Sequence, residues 1–510
     1  MQPACLRVVL VVFLSFSLFS ILGSGACGGG NPALSIDPAN PFVKKGATQQ
    51  FTASDGPVVW SVDGGSANGA IDADGLYTAP SVLPQDALVT VRATTGDRTA
   101  TASVQLVTAD ALSFSEPPDQ VNMESDHRMD DEGLFHPGAQ DRLALSQGGA
   151  RVDATWGGGE VYFNQQLNFT GFVEDRILVT DVPSALALAV EEDRDGNPVI
   201  LFNSGDTLLD GGRVRVRVGG DGGANFGEPV ALYPSVPTTD FQFQASLAID
   251  TQNRFHAVFT NGPNSGVGFF AIDGTLFYTT SENGGAAWSA QPSVVAAPAG
   301  VDDVIADPKI SVDAEGNIYV CYSVDPDGAG VGEPFGIFFA KSVDGGASFP
   351  AQPLAPGSAA NDLFCDFAIG PDGTIHVVYA SGAPNGSKVV FQKGSDGGAT
   401  FSAPQAVAGN AAGDQRAPFV SVDALGRVSV VWAEDTDLDQ VTDAMMLSRS
   451  LDGGGTFVPA IPIGGEAVEG ADFVLGMGLR MDAAGRLHVL FASNALAPGS
   501  GADVFYLRGE

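Results

Sequence analysis

The chain has 510 residues, with 60 Asp and Glu against 24 Lys and Arg, a formal net charge of −36. At about 150 residues per domain this length holds two to four domains or one large repeat array. Hydrophobic residues at 44% exclude an acidic disordered chain, and 66 Gly with 31 Pro favour many turns and an all-β fold. The negative balance argues against nucleic acid, whose phosphates need a Lys/Arg surface.

The chain opens with Arg7 and an apolar run from Val8 to Leu22 broken only by serines. Small residues from Gly23 to Gly30 follow, with Cys27 among them. This is the layout of a signal peptide over residues 1–26, with a tether at 27–32. No later run is long and apolar enough to span a bilayer. Small residues before Cys27 and glycines after it resemble a bacterial lipoprotein signal. The resemblance implies cleavage before Cys27, diacylation of its thiol, and an outer-membrane or cell-surface location. Cleavage near Ala26 without lipid would give a secreted protein. Cys321 and Cys365 are the remaining pair in an oxidising compartment, and they fall at matching heights of adjacent repeats, so a disulfide is predicted.

Residues 33–107 read as short strands that alternate apolar and polar residues between Gly, Pro and Asp turns: Leu34 to Ile36, Thr48 to Ala53, Val58 to Val62, Gly75 to Pro80 and Val89 to Ala93. That is the pattern of a β-sandwich, with Trp60 as the expected core anchor. The stretches around Gln49-Gln50-Phe51 and Gly75-Leu76-Tyr77 resemble the bacterial Ig-like domain family, which implies a spacer or adhesive module.

A linker at 108–141 leads into a repeat array at 142–510. One unit, Ile310 to Tyr322, reads as strand, tight turn, strand, and recurs in copies beginning near 143, 186, 246, 309, 366, 419 and 478. A second unit, Ser342-Val-Asp344-Gly-Gly346-Ala-Ser-Phe349, recurs at Ser450 to Phe457, with variants at 219–226, 281–288 and 394–401. These resemble the Asp-box, or bacterial neuraminidase repeat. The resemblance implies a sialidase-like β-propeller in which the motif is structural, at the turn between third and fourth strands. The fold expected is therefore all-β, an Ig-like β-sandwich followed by a propeller, seven blades favoured and six the alternative. Ala111 to Ser115 is the expected ring-closing strand, which removes exposed edges.

Several constellations could carry chemistry. The sialidase family's aromatic-Arg-Ile-Pro motif is absent, and Asp175-Arg176-Ile177-Leu178 is the nearest string. Arg142, Arg151, Arg254, Arg416 and Arg480 are the arginines that could approach a centre. Arg213, Arg215 and Arg217 alternate with valines and share one strand face, either an anion patch or an exposed outer face. His256, His376 and His488 occupy one repeat position and so point round a ring without converging. The linker groups Glu124, Asp126, His127, Asp130, Asp131, Glu132 and His136 read as a solvated charge run. The strongest constellation is Asp435, Asp437, Asp439 and Asp443 beside Glu434, whose alternating carboxylates suit a calcium ion. Asp240, Asp303, Asp307, Asp362, Asp366, Asp414 and Asp472 precede or open the first strands and predict a strongly negative face. Together these favour a monomeric, non-enzymatic surface or secreted binding protein for a protein or glycan ligand. A sialidase-like glycoside hydrolase and a structural envelope lipoprotein are the alternatives.

Overall fold

The computed structural model describes residues 33–510 apart from 116, 125–140, 147–149, 159, 169, 173, 180–183, 206–211, 234–239, 264–272, 301–302, 326–334, 355–360, 383–385, 409–412, 440, 472 and 497–500. Cys27 and most of the charged linker lie outside these residues.

The N-terminal sandwich pairs Leu88–Thr95 with Arg98–Val107, flanked by Phe42–Lys44 and Val59–Val62. A second sheet of Thr48–Gln50, Leu76–Thr78 and Ala70–Ile71 covers it. Every second residue of Arg98–Val107 points inward from Ala102 onward, and Val91, Val104 and Leu106 are sealed in the core. This strand, the longest of the sandwich, lies outside those predicted. Trp60 is not the central anchor. It is half-buried at the flank, and Phe51 and Tyr77 fill the centre, with the Tyr77 hydroxyl donating to the Asn68 carbonyl at 2.6 Å.

Among the described residues, seven antiparallel sheets follow in succession, and the first and last adjoin. Their innermost strands are Leu143–Leu145, Ser184–Glu192, Asp240–Ile249, Val304–Val312, Asn361–Ile369, Asp414–Val422 and Val474–Met481. We number the blades one to seven in that order. The second strands, such as Ile318–Asp325 and Val428–Asp435, are buried almost throughout because neighbouring blades cover both faces, hence their near-continuous apolar sequences. In blades two, three, four, six and seven the turn after the inner strand is fixed by an aspartate. The Asp423 carboxylate accepts from Leu425 N and Arg427 N, each at 2.9 Å, and Asp250 and Asp482 repeat the arrangement.

Ring closure uses the expected segment at 111–115 and extends beyond it. Ser113 exchanges backbone hydrogen bonds with Glu510 at 2.9 and 2.8 Å and Ser115 N donates to the Arg508 carbonyl at 2.9 Å, and Asp119–Gln120 continues this outer strand of blade seven against Tyr506 and Phe505. Pro117 and Pro118 lack the N–H groups a continuous ladder needs, so the closing segment is split.

The sandwich is docked against turns of blades six and seven. Arg427, held by Asp423, donates to the Thr108 and Ala109 carbonyls at 3.0 and 3.1 Å. Arg486, held by Asp482, reaches the Pro84 and Gln85 carbonyls, and Ala484 joins the sandwich core.

Candidate functional site in the propeller channel

The second halves of inner strands, with the segment just before Leu143–Leu145, line a cavity of about 250 Å³ on the propeller axis, and five charged side chains project into it: Asp141, Glu191, Lys309, Asp366 and Arg480. They come from blades one, two, four, five and seven, so the ring itself assembles them. Arg480 bridges two carboxylates, Asp141 at 2.9 Å and Glu191 at 2.8 Å. Lys309, only 2% exposed, sits 3.1 Å from Asp141 and 5.4 Å from the centre of the Phe419 ring. Asp366 accepts from Val420 N at 2.8 Å and also lines the cavity.

This arrangement separates the carboxyls electrostatically. Burial raises every one of them, but at Asp141 the charges of Arg480 and Lys309 outweigh it and hold the group at about 2. At Asp366 burial dominates and, with Asp141 nearby, pushes the carboxyl up to about 6 despite Lys309. Burial raises Glu191 as well, opposed by Arg480, and a quarter of its side chain remains exposed. Asp307, one residue from Pro308 at an irregularity in the same inner strand, is raised by burial to about 7. The cavity thus holds fixed cations beside a carboxyl able to exchange a proton near neutral pH, as acid–base chemistry requires.

Of the arginines considered from sequence, only Arg480 carries its charge into this cavity. Arg151 pairs with Asp153 and Glu192, Arg254 with Asp250, and Arg416 with Asp414. Arg142 is buried, which lowers it to about 9. Arg213 and Arg217 donate to backbone carbonyls of neighbouring segments, so their strand face is a packing face and not an anion patch. His256 and His488 are buried beside the turn aspartates Asp250 and Asp482, with tyrosine hydroxyls at 2.8 and 2.7 Å. His376 lies in the same place in blade five, and burial lowers it to about 4.

Asp435, Asp437 and Asp439 bring one carboxylate oxygen each within 4.8 Å of one another. Asp443 instead accepts from Thr436 N at 3.1 Å and Thr436 Oγ1 at 2.7 Å. Cys321 and Cys365 form a disulfide between blades four and five, with Cα atoms 6.4 Å apart. The expected negative face is much reduced. Asp303, Asp362 and Asp414 are nearly sealed, and Asp303 caps Ala299 N and Gly300 N while Asp414 accepts from Ser387 N. Asp472 lies outside the described residues.

Sequence reading missed Lys309, Asp141 and Glu191 as site residues. A signal was present: aligned on the repeat, the residue before its first apolar position is Arg142, Ser246, Lys309, Asp366, Phe419 and Gly478 in successive recognisable copies. This position marks Lys309 and Asp366, whereas Asp141 and Glu191 lie at other positions and carry no such signal.

No protein-family model matches the sequence, and no curated protein matches it. Solved structures do resemble the fold. Two structures of ulvan lyase, a polysaccharide lyase, one bound to -[GlcA(1-4)Rha3S]-, match with TM-scores of 0.51 and 0.52, at 11% identity over 78% of this chain and 95% of theirs. A Hadza microbial sialidase matches at 0.45, with 12% identity over 68% of this chain and 73% of its own. Penicillium chrysogenum alpha-L-arabinanase complexed with arabinobiose matches at 0.44, with 14% identity over 62% and 91%. The ulvan lyase likeness places the chain among β-propellers. The expectation of a non-enzymatic binding protein with an acidic face is overturned: the ulvan lyase whose fold the chain shares is a polysaccharide lyase, and the acidic residues are largely buried caps.

Proposed function

We propose that this protein is a glycan-cleaving enzyme, in which the propeller channel performs acid–base chemistry on a glycosidic bond. The observation that carries the reading is the Asp366 carboxyl, held near neutrality at about 6 in a cavity that also contains Lys309 and Arg480. Such a group can donate a proton to a leaving oxygen or accept one from a sugar carbon or water. The two cations can offset negative charge on an acidic sugar or on a developing oxyanion. The propeller shared with ulvan lyase supports the reading by analogy of fold.

The test is incubation of the purified protein with a panel of neutral and uronate-containing polysaccharides, following new reducing ends. Ultraviolet absorbance of an unsaturated uronate separates elimination from hydrolysis. Cleavage is expected, falling by about 10²-fold or more in a folded Asp366→Asn variant. No cleavage of any polymer, or full cleavage by the variant, would sink the assignment.

We also propose that the protein is exported and lipid-anchored at Cys27, supported by the apolar run, the small residues and the glycine tether. Radiolabelled palmitate should enter the wild-type chain and not Cys27→Ala. Equal labelling of both would remove the anchor from that residue.

A further inference from the structure

At the start of the inner strands, on the side away from the channel cavity's lining, blades five and six enclose a second cavity of about 260 Å³. Its lining includes Leu363, Phe364, Ala380, Ser387, Asp414 and Arg416. Phe364 is the unusual member. Its backbone is left-handed, with φ of 58°, a conformation that disfavours a bulky side chain. The inner strands of blades four and six bend at the same place, through Asp307 at 51° and Ala417 at 46°, so the bend belongs to the architecture. Glycine would fill that position without strain, and blade five has an aromatic ring there. The ring does not repay the strain by packing, because Phe364 is only half-buried and belongs to no hydrophobic core cluster. Strain retained at a half-open cavity points to use by a ligand.

The polar side of the cavity is built to match. Asp414 is 1% exposed and accepts from Ser387 N at 2.8 Å and from the Ser387 hydroxyl. It also fixes the Arg416 guanidinium, at 2.7 Å from Nε and 2.6 Å from Nη2. Burial raises the Asp414 carboxyl, but the Ser387 and Arg416 hydrogen bonds outweigh it and keep the group ionised. The cavity therefore offers an apolar wall with one aromatic ring, facing planar polar groups whose charges cancel. An aromatic face suits the C–H face of a sugar ring, and the partly exposed Arg416 guanidinium suits its hydroxyls. A charged ligand would meet no net countercharge.

We infer that this cavity is a saccharide subsite, taking one uncharged sugar ring of a glycan against Phe364 with its hydroxyls toward the Arg416 guanidinium that Asp414 holds in place. Only the choice of ligand rests on the glycan-cleaving reading; the cavity and its strain do not.

The experiment is calorimetric titration of cellobiose, maltose and arabinobiose into the full chain carrying Asp366→Asn, so that binding is read without turnover. Saturable binding of at least one disaccharide is expected, at least tenfold weaker when Phe364→Gly is added. The glycine suits the left-handed backbone, so the thermal midpoint of Phe364→Gly should equal or exceed that of its parent. No binding of any of the three, or equal binding with and without the ring, would overturn the subsite. A lowered midpoint in Phe364→Gly would also overturn it, by showing that the ring packs the fold. Failure to cleave polymers in the separate activity assay, with binding intact, would sink the enzymatic reading and leave the subsite standing.

Discussion

The ring of Phe349, in the turn of blade four, lies 5.2 Å from the ring of Tyr278, on the third strand of blade three. The same contact joins Phe401 to Phe339 at 5.1 Å, Phe457 to Phe391 at 5.2 Å and Phe226 to Phe163 at 5.2 Å. The aromatic of each of these four turns thus rivets its blade to the one before. Within the turn, Ser342 donates to Asp344 Oδ1 at 2.7 Å and accepts from Gly346 N at 2.9 Å.

Gly346 tests this rivet. Its φ is 90°, and a methyl group there would overlap the Tyr278 ring, which is itself held by His256. Gly346→Ala is expected to destabilise by about 1–3 kcal/mol from overpacking, with the strained backbone adding to it. Urea unfolding measures this. Gly345→Ala is the comparison, since it shares the positive φ at 72° but has open space around it, and it should cost less. Equal losses would assign the effect to backbone conformation and not to the inter-blade contact.

The disulfide between Cys321 and Cys365 closes a loop of 44 residues across blades four and five. Replacing both by alanine is expected to cost about 2–5 kcal/mol, chiefly by freeing the unfolded chain. Non-reducing peptide mapping should find the linked peptides, and a reductant should destabilise the wild type but not the double variant. Two free thiols in the map would remove the bond.

Asp366 carries a pH dependence of defined sign. Its carboxyl is raised in the folded state to about 6 from 3.8, so the folded protein holds this proton more tightly than the unfolded chain. The stability it contributes is full below about 4 and is lost as pH rises through about 6. Asp307 and Glu191 act in the same direction, and Asp141 in the opposite one at lower pH. Between these limits the wild type should lose stability relative to Asp366→Asn, as read from unfolding curves at successive pH values. Parallel curves would mean that the group titrates as an ordinary exposed carboxyl.

What the sequence disclosed follows from how each feature is encoded. Blades repeat, so Val420-Ser-Val-Asp423 and Leu479-Arg-Met-Asp482 announce the same hairpin, and the turn aspartates and glycines are local devices readable in one copy. The channel is not local. Asp141, Glu191, Lys309, Asp366 and Arg480 are separated by as much as the whole ring and converge only when it closes, so no single window contains the site. Asp303 and Asp414 look like surface charge in the sequence because nothing there says which backbone N–H they will cap. Phe364 reads as one more apolar strand residue, and its left-handed backbone becomes visible only through the strand irregularity.

Calcium at the loop 435–439 is the last expectation, and we propose it on the approach of Asp435, Asp437 and Asp439 within 4.8 Å. Asp435 is buried, and the other two are exposed. Each already accepts one backbone N–H: Asp435 from Leu438 at 2.6 Å, Asp437 from Asp439 at 3.3 Å and Asp439 from Val441 at 2.9 Å. Those bonds shape the loop but leave three like charges close together, and a hard divalent cation with oxygen ligands would relieve the repulsion. Binding to the folded state alone adds RT ln(1 + [L]/Kd), about 2.7 kcal/mol when calcium stands at 100 times Kd. Thermal midpoints with EDTA and with calcium should therefore separate in the wild type. In Asp437→Asn/Asp439→Asn the separation should shrink, while the midpoint in EDTA should hold or rise because repulsion is removed. Asp443 serves Thr436, so Asp443→Asn should loosen that end of the loop without abolishing the calcium shift. Equal calcium shifts in the wild type and the Asp437/Asp439 variant would move the site elsewhere, and no shift in either would leave the loop as solvated acid.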